Sequence, residues 1–254
     1  MNCDTDVKAT VIIPARYASS RFPGKPLALI SGKSMIRRVY ENAQKSPNIK
    51  DVFIATDDER IAKEAESFGG KYIITSTLHK SGTDRAAEAT NIIGLKKEDI
   101  IINVQGDQPL FDFRCLDEIL TPFKTGFDGM STLVCRITKP EEITDPKDVK
   151  TVFDNNGFAL YFSRTSIPYD RDGLTLNNKY KHLGFYAYTK EFLEKFTSLP
   201  EGELEKRERL EQLRALEYGL RIKIVVTNYD SFEIDLPCDI EKAETIISEK
   251  LKGE

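Results

Sequence analysis

The sequence predicts an α/β fold, a doubly wound and mostly parallel sheet with an antiparallel extension, on three observations. Short apolar runs lack the in–out alternation of half-exposed strands, an amphipathic stretch follows each run, and the pattern changes after Gly129. Residues 11–14 read as a buried strand, 35–45 as a helix, 52–56 as a strand and 58–68 as a helix. The alternation continues with strand 71–75, helix 81–93, strand 99–104 and helix 112–123. The right-handed crossover rule winds such units onto both faces of one sheet. Beyond Gly129, residues 130–137 and 149–153 are β-rich, Asn155-Asn156-Gly157 signals a tight turn, and 159–163 and 182–188 follow as strands. Residues 204–220 carry Leu210, Leu213, Leu216 and Leu220 on one helical stripe ending near Gly219. Strand 222–227 and a terminal helix over 239–251, capped by Asp239, complete the chain. No repeat or long linker interrupts it, so residues 1–254 form one unit: a core over about 10–128, the antiparallel part over about 129–200, and a return from about 201.

Composition narrows the function classes. The 254 residues suffice for a large core, and 40% apolar with 31% charged residues is ordinary for a globular protein. A net charge of −4 spread along the chain argues against nucleic acid and anionic membranes as partners. Cys3, Cys115, Cys135 and Cys238 are far apart with no C-x-x-C pair, which predicts reduced thiols rather than a zinc or disulfide framework. With only His79 and His182, a multi-histidine metal site is excluded. The first ten residues carry two aspartates and no apolar stretch of a signal peptide, and no apolar run nears the ~18–20 residues of a membrane helix. A soluble, cytoplasmic protein is expected.

In open α/β sheets ligands bind beyond the carboxyl ends of the strands, so the residues after each strand carry the functional reading. After the first strand, Ala15 to Pro26 holds Arg16, Arg21, Lys25, Ser19, Ser20 and Gly24. Small residues let backbone N–H groups approach phosphate while Arg and Lys balance its charge; the alternative is a solvated basic loop. Ser31-Gly32-Lys33-Ser34 has the tail of a P-loop, but Leu27 stands where that motif needs glycine, and no G-x-G-x-x-G follows the first strand. Asp107 in Gln105-Gly106-Asp107-Gln108-Pro109 suits a hard oxygen ligand for Mg²⁺, or closes an Asx turn. Asp235, Asp57 and Asp58 are all eligible as its partner. Ser81 and Thr83 fit either helix capping or a phosphate contact, and Glu211 with Arg214 fits a surface ion pair at i, i+3. His182 by itself reads as a structural histidine, and Gln212 borders the leucine stripe.

Taken together, VIIPARYASSRFPGKPL, IATDDERIA, SGTDR, INVQGDQP, GFALYFSRTSIPYDRD, KHLGFYAY and ERLEQLRALEYG resemble the 3-deoxy-manno-octulosonate (KDO) cytidylyltransferases, in order over nearly the whole chain. The resemblance implies the nucleotide-diphospho-sugar transferase fold, with the core binding CTP and the antiparallel part forming the sugar side and a homodimer interface. It implies transfer of CMP from CTP to KDO for lipopolysaccharide synthesis, by in-line attack of the sugar's anomeric hydroxyl on the α-phosphorus. Ala15, Arg16, Arg21, Lys25, Ser81 and Arg85 would bind the nucleotide, with Arg16 and Lys25 at the triphosphate. Asp107 and Asp235 would hold Mg²⁺; Gln105, Arg164, His182, Glu211 and Gln212 would bind the sugar. Arg16, Lys25 and Asp107 would carry catalysis. The chain departs from the family's D-E-P at Gln108, and from its G-V-D-T-P in Glu233-Ile234-Asp235-Leu236-Pro237. The rival readings are a cytidylyltransferase for another acidic sugar such as sialic acid, and a non-catalytic sugar-nucleotide-binding protein.

Overall fold

A computed structural model describes residues 7–19, 21–172 and 178–253, with side chains described through 249; Cys3 and Ser20 lie outside them. The first strand, β1 (Ala9–Ala15), is buried at every position because other strands flank it and helices cover both faces. A short hairpin of β2 (Leu29–Ile30) and β3 (Lys33–Ser34) leads into α1 (Met35–Ala43), whose buried residues Met35, Ile36, Val39, Tyr40 and Ala43 fall on one face. β4 (Ile49–Thr56), α2 (Glu59–Ser67), β5 (Tyr72–Ile74), α3 (Gly82–Ile93) and β6 (Ile100–Asn103) then follow the predicted alternation. Asp58 and Ser81 cap α2 and α3 by accepting the backbone N–H of Arg60 and Asp84. The helix expected over 112–123 is shorter: α4 (Arg114–Ile119) gives way to a 3-10 turn over Thr121–Thr125, because Pro122 has no N–H to continue an α-helix.

The antiparallel part is woven into the same sheet rather than appended to it. After β7 (Met130–Arg136), α5 (Pro140–Thr144), β8 (Lys150–Phe153) and β9 (Ala159–Ser163), the long β10 (Tyr180–Thr189) runs antiparallel between β6 and β7. α6 (Lys190–Ser198), α7 (Glu203–Glu208), α8 (Gln212–Glu217), β11 (Ile222–Thr227) and α9 (Asp239–Gly253) complete the order. Among the described residues the sheet has nine strands, in the path β11-β7-β10-β6-β1-β4-β5, with the β8–β9 ribbon paired to the far end of β10. One hydrophobic cluster lies between the sheet and α1, α2 and α4, and another between the sheet and α3, α6 and α8.

Two C-terminal expectations need correction. The leucine-striped helix is broken into α7 and α8 at Arg209, whose φ of 53° is left-handed. Arg214 returns two hydrogen bonds of 2.7 and 2.6 Å to buried Glu205, and Leu210 and Leu213 still reach the core. The break lets Glu208 bond Ser163 Oγ and the Arg164 N–H on β9 while Glu211 bonds Thr83 on α3. Asp239 does not cap α9 forward: its carboxylate accepts the N–H groups of Asp235 and Leu236 behind it, fixing that loop.

Candidate active site

One cavity of about 360 Å³ opens beyond the carboxyl ends of β1 and β6. Ala15, Arg16, Arg21 and Lys25 line it from the β1 loop, Ser81 and Arg85 from α3, and Gln105 and Asp107 from the loop after β6. These segments are pressed together: a Cβ at Gly82 would stand 3.0 Å from Pro14 Cγ, and one at Gly106 would stand 3.2 Å from Pro14 O. Gly24, at φ 73°, turns the β1 loop back so that its N–H bonds Tyr17 O and Lys25 points inward.

The cations around the cavity differ in how they are held. Arg16 is exposed and forms no hydrogen bond or ion pair among the described residues. Lys25 Nζ lies 2.8 Å from Asp107 Oδ2 and 3.7 Å from Asp235 Oδ1, and it donates to Ile234 O. Arg21 Nη1 pairs with Asp235 Oδ2 at 2.9 Å. Arg85 is buried, with donors spent on Thr75, Ser76 and Asp57, so it braces the floor beside the cavity. That pairing removes Asp57 from the partners eligible for Asp107, and Asp58 is engaged as the α2 cap and by Arg60.

Asp235 meets Asp107 although 128 positions separate them (235 − 107), because Ile234 N–H donates to Asp107 O. Glu233 joins them: one carboxylate oxygen from each of the three lies within 4.8 Å of the others. Much of Glu233 is open to solvent, yet withdrawal of its carboxyl from water and the charges on Asp107 and Asp235 push it up to about 7. Asp235 is buried and its Oδ1 has no hydrogen-bond partner. Hard, anionic oxygens so close, one of them orphaned, fit a small divalent cation.

Arg164, His182, Glu211 and Gln212 do not line the cavity. Glu211 is joined to it through Thr83 Oγ1, which donates to Glu211 Oε2 two residues on from Ser81. This is not the surface pair expected: Glu211 is withdrawn from water, which raises its carboxyl, and Arg214 lies 3.8 Å away, bound chiefly to Glu205. Arg164 donates to the carbonyls of Glu208, Pro146 and Arg209, clasping β9 to the α7–α8 break. His182 is pushed down to about 3 by burial and is neutral at physiological pH. Thr132 spends its hydroxyl hydrogen on Phe185 O, so it accepts from His182 Nε2 and leaves Nδ1 as an acceptor. A neutral ring of that tautomer can accept a hydroxyl hydrogen at Nδ1 but cannot form an ion pair with a carboxylate.

Sequence reasoning named Glu211 and Gln212 but missed Asn103 and Tyr188 beside them. Buried atoms without a hydrogen bond include Asn103 Nδ2, Tyr188 OH, Glu211 Oε1 and Gln212 Nε2. Asn103 ends the isoleucine run of β6, faces Tyr186 on β10 and accepts from Gln105 Nε2; a polar residue closing a buried strand was its signal. Gln108, a departure from the resembled pattern, donates to Leu183 O at 2.7 Å, which a carboxylate cannot do, and so fixes the left-handed Gly184 next to His182.

A family model described as cytidylyltransferase matches residues 10–223. A 3-deoxy-manno-octulosonate cytidylyltransferase of Desulfatibacillum aliphaticivorans is 58% identical over 245 residues, covering 96% of this chain and 100% of the relative. An 8-amino-3,8-dideoxy-manno-octulosonate cytidylyltransferase of Shewanella baltica is 51% identical, covering 94% and 98%. A solved structure of CMP:2-keto-3-deoxy-manno-octonic acid synthetase complexed with CTP matches with TM-score 0.88 at 39% identity, over 96% of this chain and 99% of that one.

Proposed function

The chain belongs to the cytidylyltransferase family, and from that premise we propose that it transfers CMP from CTP to KDO, releasing pyrophosphate. The observation that carries this reading is the convergence of basic β1-loop residues and Asp107 on one cavity, in a fold shared with a CTP-bound synthetase for the same sugar. Exposed Arg16 and inward Lys25 suit the triphosphate and the charge that grows on pyrophosphate as it leaves. Gln105, whose amide nitrogen reaches Asn103, suits a sugar hydroxyl, and the neutral His182 offers an acceptor rather than a charge. The new bond joins the anomeric oxygen to the α-phosphorus as the bond to pyrophosphate breaks; catalysis is then chiefly positioning and charge balance.

Asp107 and Asp235 would hold Mg²⁺, which when bound supplies charge neutralisation at the phosphates and acidifies the attacking hydroxyl. Lys25 must then turn from the carboxylates toward the nucleotide. We further propose a homodimer, which exposed Leu160 on edge strand β9 and exposed Tyr169 beyond it support as an apolar meeting surface. Among the described residues no helix is long and apolar enough to cross a membrane; a cytoplasmic place in lipopolysaccharide synthesis follows from the substrate.

Pyrophosphate release from CTP with Mg²⁺ tests the reading, using KDO, its 8-amino counterpart and sialic acid as acceptors. Release dependent on KDO, with CMP-KDO as product, is expected. No release with any divalent cation would overturn the enzyme reading, and turnover confined to another sugar would overturn the assignment of KDO.

A further inference from the structure

We propose that Glu233 is a third carboxylate for the cation held by Asp107 and Asp235, an inference that rests on the cytidylyl-transfer reading. Ile234 is driven into a small cluster with Ile30, Met35 and Ala243, and its N–H is fixed to Asp107 O. Glu233 and Asp235 are thereby left on either side of an anchored residue, with their oxygens and that of Asp107 within 4.8 Å of one another. Adjacent ligands of one Mg²⁺ stand about 3.0 Å apart and opposite ones about 4.2 Å, so these oxygens must close in by an ångström or two to share a coordination shell.

The acidic grouping does not stand alone. Asp235 is 8% exposed, its Oδ1 has no hydrogen bond, and that atom is turned toward the Lys25 ammonium bridging to Asp107. The charges are also unequal. Lys25 serves Asp107 and Arg21 serves Asp235, while Glu233 forms no hydrogen bond or ion pair among the described residues. A nucleotide that draws Lys25 to its phosphates leaves three carboxylates facing one another with Arg21 alone. A divalent cation relieves that repulsion, and Glu233 strengthens its hold.

The test is a titration of the intact protein with Mn²⁺, both alone and with CTP present to draw off Lys25, followed by electron paramagnetic resonance, for wild type, Glu233→Gln, Glu233→Gly and Asp107→Asn, the last giving the baseline for Mn²⁺ held by CTP itself. Both Glu233 variants are expected to weaken Mn²⁺ binding about tenfold or more, and both should shrink the rise in melting temperature that saturating Mg²⁺ gives wild type. The Gln and Gly variants guard each other against misfolding, read by circular dichroism. Mn²⁺ binding within twofold of wild type in both, while Asp107→Asn loses it, would overturn the role of Glu233 and leave cytidylyl transfer standing. Wild type that binds no Mn²⁺ would overturn both the role of Glu233 and the metal site, and the pyrophosphate assay would still decide the transfer itself.

Discussion

The two halves of the proposed site, one for the nucleotide and one for the sugar, are built in opposite ways. The nucleotide half is mainly one continuous loop after β1, with exposed Arg16 and Arg21 over an open cavity. The other half is gathered from β9, β10, α8 and the end of β6, and several of its polar side chains bury an atom that has no hydrogen-bond partner among the described residues. A flexible polyanion needs mobile cations that can follow it, whereas telling one acidic sugar from another needs fixed, desolvated donors and acceptors that a wrong hydroxyl leaves unpaired. The halves meet at Gln105 and Asp107, the loop that closes β6.

The largest expected effect comes at that junction. Asp107→Asn should cut turnover by about a thousandfold or more while circular dichroism stays native, because the hard anionic ligand is lost and the side-chain size is kept. Activity within tenfold of wild type would remove Asp107 from the reacting centre. Next, the halves should respond separately: Gln105→Ala lowers kcat/KM for KDO about a hundredfold with the KM for CTP unchanged, and Arg16→Ala raises the KM for CTP about tenfold with the sugar's unchanged. Initial rates with each substrate varied in turn read this, and crossed effects would break the comparison.

Two smaller effects probe the buried half alone. His182 is held neutral, with its titration pushed down to about 3 from an ordinary 6.5. Between those values the unfolded chain binds the extra proton, so the stability tied to this group is complete above about pH 6.5 and drains as pH falls toward 3. Denaturant midpoints of His182→Gln should therefore fall less between pH 7 and 4.5 than those of wild type; equal slopes would show the ring free to titrate. The smallest effect is at the α7–α8 break, where Arg209 adopts a left-handed φ of 53°. Arg209→Gly should stabilise by ~1 kcal/mol and raise the melting temperature by about 2–4 °C; a fall would mean that the guanidinium contributes more than the backbone costs.

Legibility in the sequence follows the same division. β1, its loop and the alternation through β6 are contiguous signals, and eight residues read from the motifs of that half line the cavity. Asp107 was visible from its place after a buried strand, but its meeting with Asp235 depends on a backbone bond between segments far apart in sequence. The sugar half hid for related reasons. Nothing local says that β10 enters between β6 and β7, or that the leucine stripe breaks at Arg209 to send Glu208 and Glu211 to different neighbours. Glu233 stood in plain sight as a departure from a pattern, and only the fold turns it toward Asp107.

Cytidylyl transfer as proposed turns on one event, attack of the sugar's anomeric oxygen on the α-phosphorus of CTP. KDO carrying ¹⁸O at that position, turned over by the wild-type protein and analysed by mass spectrometry, tests it directly. The label is expected in the oxygen bridging sugar and phosphorus of CMP-KDO, with unlabelled pyrophosphate. Label in pyrophosphate, or a CMP-KDO whose bridging oxygen is unlabelled while unreacted KDO keeps its label, would contradict it.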